Sequence, residues 1–338
     1  MRAVGFNMPQ PIPEDTSPID IALPMPAAAG RDLLVEIRAV SVNPVDAKVR
    51  ASAPVEAGDH RVLGYDAAGV VKAVGPEVTL FQPGDAVFYA GALDRPGTNA
   101  EFHLVDERIV GRKPESLSFE QAAALPLTAI TAYEAMLHRM KVQEPVPGAA
   151  NAILIIGGAG GVGSIAIQLA RELTDLTVIA TASRPETQAW IRDLGAHHVI
   201  DHSQPLAPQV EALGLGSPAF VFSTTETEQH LDDILALIAP QGRFCLIDDP
   251  KNPMDLRPFK RKALSIHWEL MFTRSLYQTE DMIEQHKLLD HVAELVDAGR
   301  IRTTLAETYG TINAANLKRA HAMIESGRAK GKIVLSGF

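Results

Sequence analysis

Between residues 33 and 113 the apolar positions come in short runs, at 33–43, 68–74, 85–90, 100–105 and 109–113, with turn pairs such as Gly75-Pro76 and Pro83-Gly84 between them. Short strands at regular spacing with turn chemistry at their ends predict a partly open β-barrel. From Ser118 the period changes: residues 119–124 are rich in alanine and read as a helix, resumed over 127–137 after Pro126. An all-apolar run at 153–156 then opens an alternation of strand and helix: helix 162–173, strand 177–181, helix 185–194, strand 197–200. It continues through 219–223, 231–238, 243–247 and 263–271. Strands separated by helices of this length predict right-handed βαβ units, and so a doubly wound parallel sheet covered on both faces. The tail adds helices over 281–299 and 314–326 and a closing strand over 332–335. The expected organisation is α/β: a nucleotide-binding domain over 126–272, and a discontinuous barrel domain made of 1–125 and 273–338.

Composition narrows the function classes. Apolar residues make up 46% of the 338 and charged residues 21%, which are globular values and exclude a disordered or collagen-like chain. A net charge of −10 argues against nucleic acid or an anionic membrane surface as main partner. The single cysteine, Cys245, permits neither an internal disulfide nor a multi-cysteine metal cage. Met1 to Phe6 lead into a polar, proline-rich stretch rather than the apolar core of a secretory signal, which points to the cytoplasm. Residues 146–170 are uncharged and long enough to cross a bilayer, but the five glycines between 157 and 163 count against a spanning helix.

Those glycines are the strongest motif. Gly157-Gly158-Ala159-Gly160-Gly161-Val162-Gly163 follows an all-apolar strand and opens a helix. As G-x-G-x-x-G it assigns Gly158 to the tight turn, Gly160 to backbone approach and Gly163 to helix packing, with a pyrophosphate on the helix N-terminus. Ser164 stands where a Walker loop would place its lysine. The next strand ends in Ser183-Arg184 rather than in the acidic residue that would bond a ribose 2′-hydroxyl. A hydroxyl and a guanidinium suit a 2′-phosphate, so the expected cofactor is NADP(H).

With these segments assembled, the chain resembles the medium-chain dehydrogenase/reductase superfamily, and within it the zinc-free quinone oxidoreductase branch, including bacterial proteins called zinc-type alcohol dehydrogenase-like. The resemblance runs through Ser41-Val-Asn43-Pro44-Val-Asp46, Gly64-Tyr65-Asp66-Ala-Ala-Gly69, Pro83-Gly84-Asp85, Ala123-Ala-Leu-Pro126-Leu-Thr128, the glycine turn, Leu194-Gly195-Ala196 and Gly331-Lys332-Ile-Val. It implies a Rossmann domain joined to a GroES-like catalytic domain. Zinc-dependent relatives carry a cysteine near Asn43 and a His-Glu pair where Tyr65-Asp66 stand, so the resemblance implies no metal here. His60, His103 and Asp66 are left as an incidental cluster at most.

The resemblance further implies that Asn43 borders the nicotinamide, that Tyr65 and Tyr89 offer hydroxyls to a substrate oxygen, and that Thr128 bonds the nicotinamide ribose. Gly161 and Val162 lie with the other turn residues against the pyrophosphate. Ser223, Thr224 and Thr225 would face adenine or ribose, Ile247 and Asp248 the nicotinamide amide, and Lys330 and Lys332 the nicotinamide side or the 2′-phosphate. Without a metal, the acceptors that fit are quinones and α,β-unsaturated carbonyls, whose conjugated oxygen takes up charge without a Lewis acid. The branch also implies a homodimer. Two other readings stay open at this point: a zinc alcohol dehydrogenase with atypical ligands, and an NADPH-binding sensor or RNA-binding or crystallin-like protein without turnover.

Overall fold

In chain order the first strands and helices are β1 (Arg2–Phe6), β2 (Ile19–Ala22), β3 (Asp32–Val42), α1 (Pro44–Ser52), β4 (Arg61–Val62), β5 (Asp66–Val74), β6 (Ala86–Ala90), β7 (Phe102–Asp106), β8 (Val110–Arg112), α2 (Phe119–Ala123) and α3 (Pro126–Tyr133). Next come β9 (Ala150–Ile156), α4 (Gly161–Leu173), β10 (Thr177–Thr181), α5 (Pro185–Asp193), β11 (His198–Ile200), α6 (Leu206–Ala212), β12 (Pro218–Ser223), α7 (Thr227–Leu237), β13 (Arg243–Leu246) and β14 (Ser265–Trp268). The tail supplies α8 (Thr273–Tyr277), α9 (Glu284–Asp297), β15 (Leu305–Thr308), α10 (Ala314–Glu325) and β16 (Lys332–Ser336). This computed structural model describes residues 1–7, 18–56 and 58–338. Most of the proline-rich stretch after Phe6, and Ala57, lie outside the described residues.

The chain divides into two compact units, Met1–Ile130 with Phe272–Phe338, and Thr131–Met271. The first is built on β3. Its early half pairs with β7 and its late half with β16, while β5 runs antiparallel along the other edge. Register shifts in the β3–β5 ladder bend the sheet at Leu34/Val35 and Ile37/Ala39, as bulges do where a sheet curls toward a barrel. The inward side chains Leu33, Val35, Ile37 and Val40 pack with Val71, Val87, Val110, Ile333 and Leu335 into one core. The expected GroES-like partly open barrel is present, and β1, β2 and β4 form a small separate sheet.

The second unit is a six-stranded sheet in the order β11-β10-β9-β12-β13-β14, parallel throughout. Counted from β9, this is the doubly wound order whose direction of winding reverses between the first and fourth strands, where ligands bind beyond the strands' carboxyl ends. Ala152 to Ile156 and Ala219 to Phe222 are fully buried, as central strands covered on both faces must be.

Several elements differ from those read in the sequence. Helix α1 fills a stretch to which the sequence pattern assigned no element, with Pro44 in its first turn and the Asp46 carboxylate accepting the Asn43 N–H at 2.7 Å. The helix expected over 127–137 stops at Tyr133, and the next turn widens to a π-helix over Glu134–Arg139. The strand expected over 263–271 pairs only at Ser265–Trp268. The uncharged 146–170 stretch becomes β9, the glycine turn and most of α4. Among the described residues no helix is long and apolar enough to cross a membrane.

Candidate functional site

In the second unit, β9 ends at Ile156 and the chain enters α4 through the glycine turn. Gly157 has φ +80°, a conformation that strains any side chain. The tight turn therefore falls on Gly157, not on Gly158 as the motif spacing suggested. A Cβ on Gly163 would lie 2.3 Å from the Gly157 carbonyl oxygen, so only glycine lets α4 pack on the turn. A Cβ on Gly160 would meet just that same oxygen at 3.5 Å, and Gly160, Gly161 and Val162 are partly exposed. The geometry thus uses residues 157, 160 and 163. It leaves the backbone of 160–162 open beside the free N–H groups that begin α4. Thr181, which no motif singled out, anchors the turn: its carbonyl accepts the Gly158 N–H at 3.0 Å and its hydroxyl accepts the Gly157 N–H at 3.0 Å. That hydroxyl also meets His202 Nδ1 at 2.9 Å.

Ser183 and Arg184 follow the carboxyl end of β10, half-buried, with Arg184 at the N-cap of α5. The guanidinium contacts Glu186 at 3.1 Å, a solvent-screened pair worth little. At the end of β12, the Thr224 hydroxyl donates to the Ile156 carbonyl at 2.8 Å, Ser223 is buried against the Thr227 hydroxyl at 2.7 Å, and Thr225 is exposed. Ile247 and Asp248 follow β13, half-buried. The Asp248 carboxylate accepts the Thr227 N–H at 2.8 Å and so caps α7.

In the first unit a buried polar cluster joins the end of β3, the start of α1, β5 and β16. Lys332, only 3% exposed, directs its ammonium to the Val42 carbonyl at 3.1 Å, to Asp66 Oδ2 at 2.9 Å and to Asn43 Oδ1. The Asn43 amide donates to the same Asp66 oxygen at 2.8 Å. Asp66 Oδ1 accepts the Leu127 N–H at 2.7 Å and so fixes the first turn of α3, which carries Thr128. Thr128 is buried, its hydroxyl donating to the Leu125 carbonyl at 3.0 Å. Below the cluster Asp46 accepts the N–H groups of Asn43 and Gly64 at 2.7 and 3.1 Å, and burial pushes its carboxyl up to about 7.

This placement corrects two expectations. Lys332 is not a phosphate ligand, because its ammonium is committed to three oxygens inside its own unit. Lys330, two residues earlier, is half-buried. Tyr89 is fully buried, and its hydroxyl lies 3.0 Å from His103 Nδ1 while His103 Nε2 lies 2.9 Å from the Pro96 carbonyl. A carbonyl only accepts, so Nε2 carries the ring proton and Nδ1 takes the Tyr89 hydrogen. That hydrogen is not available to a substrate. Burial holds His103 down to about 4, in keeping with a neutral ring. Tyr65 differs. It is buried, its ring meets Phe272 edge-on at 5.1 Å, and burial pushes its phenol well above the usual range, with the Arg61 guanidinium acting weakly in the other direction.

Comparison with known proteins places this geometry. Residues 29–115 match the alcohol dehydrogenase GroES-like domain and residues 194–335 the zinc-binding dehydrogenase domain. A zinc-type alcohol dehydrogenase-like protein of Staphylococcus aureus is 38% identical over 337 residues, covering 99% of this chain and 100% of the relative. The chain belongs to the medium-chain dehydrogenase/reductase superfamily. A crystal structure from Rhizobium etli, named as a zinc-dependent alcohol dehydrogenase protein, matches with a TM-score of 0.98 and 68% identity over 100% of this chain and 98% of that one. A quinone oxidoreductase of Pseudomonas syringae matches with a TM-score of 0.83 and 25% identity over 99% of both chains. Within the superfamily the chain falls in the quinone-oxidoreductase-like branch. It is accordingly an oxidoreductase that uses a nicotinamide dinucleotide.

The names of superfamily members raise the question of zinc. Zinc takes thiolate, imidazole or carboxylate donors at about 2.0–2.3 Å. At the corresponding positions this chain has an amide, a phenol and the Asp66 carboxylate, which already holds an ammonium, an amide and a backbone N–H. These residues do not fit the metal. His103, bound to Tyr89 and Pro96, does not join them.

Proposed function

We propose that this oxidoreductase is an NADPH-dependent reductase of quinones and α,β-unsaturated carbonyls that works without zinc. NADPH, when bound, would supply a hydride, two electrons with one hydrogen, to the electron-poor carbon of the acceptor, and the resulting anion would take its proton from water. The chain's own residues bind, orient and compensate charge. Gly160, Gly161 and Val162 would hold the pyrophosphate on their open backbone, with Gly163 and Gly158 keeping the turn, and Ser183 and Arg184 would hold the 2′-phosphate. Ser223, Thr224, Thr225, Ile247 and Asp248 border the dinucleotide from the ends of β12 and β13, and Thr128 offers its oxygen to the ribose. Tyr65 stays protonated at neutral pH and donates a hydrogen bond to the oxygen that becomes negative as hydride arrives. Asn43 gives a fixed polar wall.

The observation that carries this reading is the donor set at Asn43, Tyr65 and Asp66, which offers an acceptor no Lewis acid. That selects substrates able to delocalise their own charge. The test follows NADPH loss at its absorption band with a panel of ortho-quinones and enones and with simple ketones. Turnover is expected with the conjugated acceptors and not with the ketones. A protein that binds NADPH but reduces none of the conjugated acceptors overturns the reading.

We further infer a homodimer formed through β14. This strand is an edge of the six-stranded sheet, and it carries Trp268, 55% exposed, with Leu270, 49% exposed, just beyond it. Among the described residues no strand pairs with this edge, and an edge flanked by large apolar side chains suits pairing with a second copy about a two-fold axis.

A further inference from the structure

We propose that Lys332 is the resident cation of the catalytic unit: its ammonium occupies the position of a metal and closes the site against zinc. This rests on the metal-free reading above and names the residue responsible. Asp66 is fully buried, and a buried carboxylate requires a compensating charge. The opposite charge within hydrogen-bond reach is Lys332 at 2.9 Å, itself 3% exposed. The same ammonium contacts Asn43 Oδ1, and Asn43 in turn donates to Asp66 at 2.8 Å. Lysine, amide and carboxylate thus form a closed triangle across the residues that would have to converge on a metal. A divalent ion at Asp66 Oδ2 would have to share that oxygen with an ammonium already held 2.9 Å from it, and like charge would repel it. Lys332, the first residue of β16, cannot swing away without giving up the Val42 carbonyl, 3.1 Å distant.

Lys332 is therefore a positioning residue. Through Asp66 it holds the Leu127 N–H, and through Asn43 it holds the turn into α1. Changing the other two positions to metal donors is not enough to create a zinc site while the lysine remains.

The experiment compares zinc content, by mass spectrometry after dialysis against zinc chloride and then plain buffer, of wild type, N43C/Y65H and N43C/Y65H/K332M. Wild type and the double variant are expected to retain little metal, and the triple variant about one zinc per chain, held by the introduced thiolate and imidazole together with Asp66. Equal zinc in the double and triple variants overturns the role of Lys332. Stoichiometric zinc in wild type instead overturns the metal-free reading itself, so the two failures are distinct. Should the triple variant not fold, thermal unfolding of K332M and K332M/D66N decides. K332M is expected to lower the Tm and D66N to restore it by removing the stranded charge. A K332M protein as stable as wild type overturns the proposal.

Discussion

Arg184→Ala is expected to weaken NADPH binding about tenfold or more, the worth of one charge-assisted hydrogen bond of about 1.5–3 kcal/mol, and to leave NADH nearly unchanged. Fluorescence titration of both dinucleotides measures it, and an unchanged preference removes Arg184 from the 2′-phosphate. Tyr89→Phe separates the two phenols. It leaves His103 Nδ1 without its donor at a cost of about 1–3 kcal/mol in stability, while turnover stays close to wild type because the hydroxyl never faces substrate. Stability against pH reports three more residues. His103 and His321 are held down to about 4 and about 3, mainly by burial, against an ordinary 6.5. Below 6.5 the unfolded chain protonates them and the folded one does not, so their contribution is lost as pH falls. Asp46, pushed up to about 7 by burial, has the opposite sign. The unfolded carboxyl releases its proton first, so its contribution is lost as pH rises from its ordinary 3.8 toward 7. Where the two windows overlap, Asp46 opposes the histidines, and His197, His202, His230 and His267, also held below the ordinary value by burial, add to the histidine side. Asp46→Asn removes the opposing group and should steepen the loss of stability on acidification by about 1.4 kcal/mol per pH unit near pH 5 in urea unfolding series.

Among elements, the parallel strands of the nucleotide-binding unit were legible because burial on both faces forces continuous apolar runs, as in β9 and β12. Helix α1 was not. Its buried residues are Asp46, Ala47 and Arg50, so its inner face carries no apolar stripe, and only the Asn-Pro-x-Asp start marks it. Likewise α6 carries Pro208 in its first turn, which reads as a break. The glycine turn was found, but spacing could not tell Gly157 from Gly158, since the deciding quantity is a backbone angle. Lys332 was read as a cofactor ligand and not as a buried cation because its partner Asp66 lies 266 positions away. Gly163→Ala probes the turn directly. Its Cβ would strike backbone rather than a movable side chain, so we expect a loss of about 1–3 kcal/mol in stability and of dinucleotide binding. Calorimetric unfolding and NADPH titration check both, and undiminished binding means that α4 can shift.

For the whole molecule, Trp268→Asp should turn a dimer into monomers, read as a halved mass by light scattering; a variant that keeps the wild-type mass shows that β14 is not the interface. The discontinuity of the first unit bears on how the chain is made. Thr131–Met271 is one uninterrupted stretch and can fold as soon as it leaves the ribosome, whereas the barrel around β3 lacks β16 and Lys332 until nearly all 338 residues have been synthesised. Through that interval Asp66 has no lysine to meet, and the edge of β3 that receives β16 is open. A nascent chain halted before residue 332 should therefore show a protease-resistant nucleotide-binding core beside a cleavable amino-terminal segment. The strand that completes the barrel around β3 is also the one that brings Asp66 its positive charge.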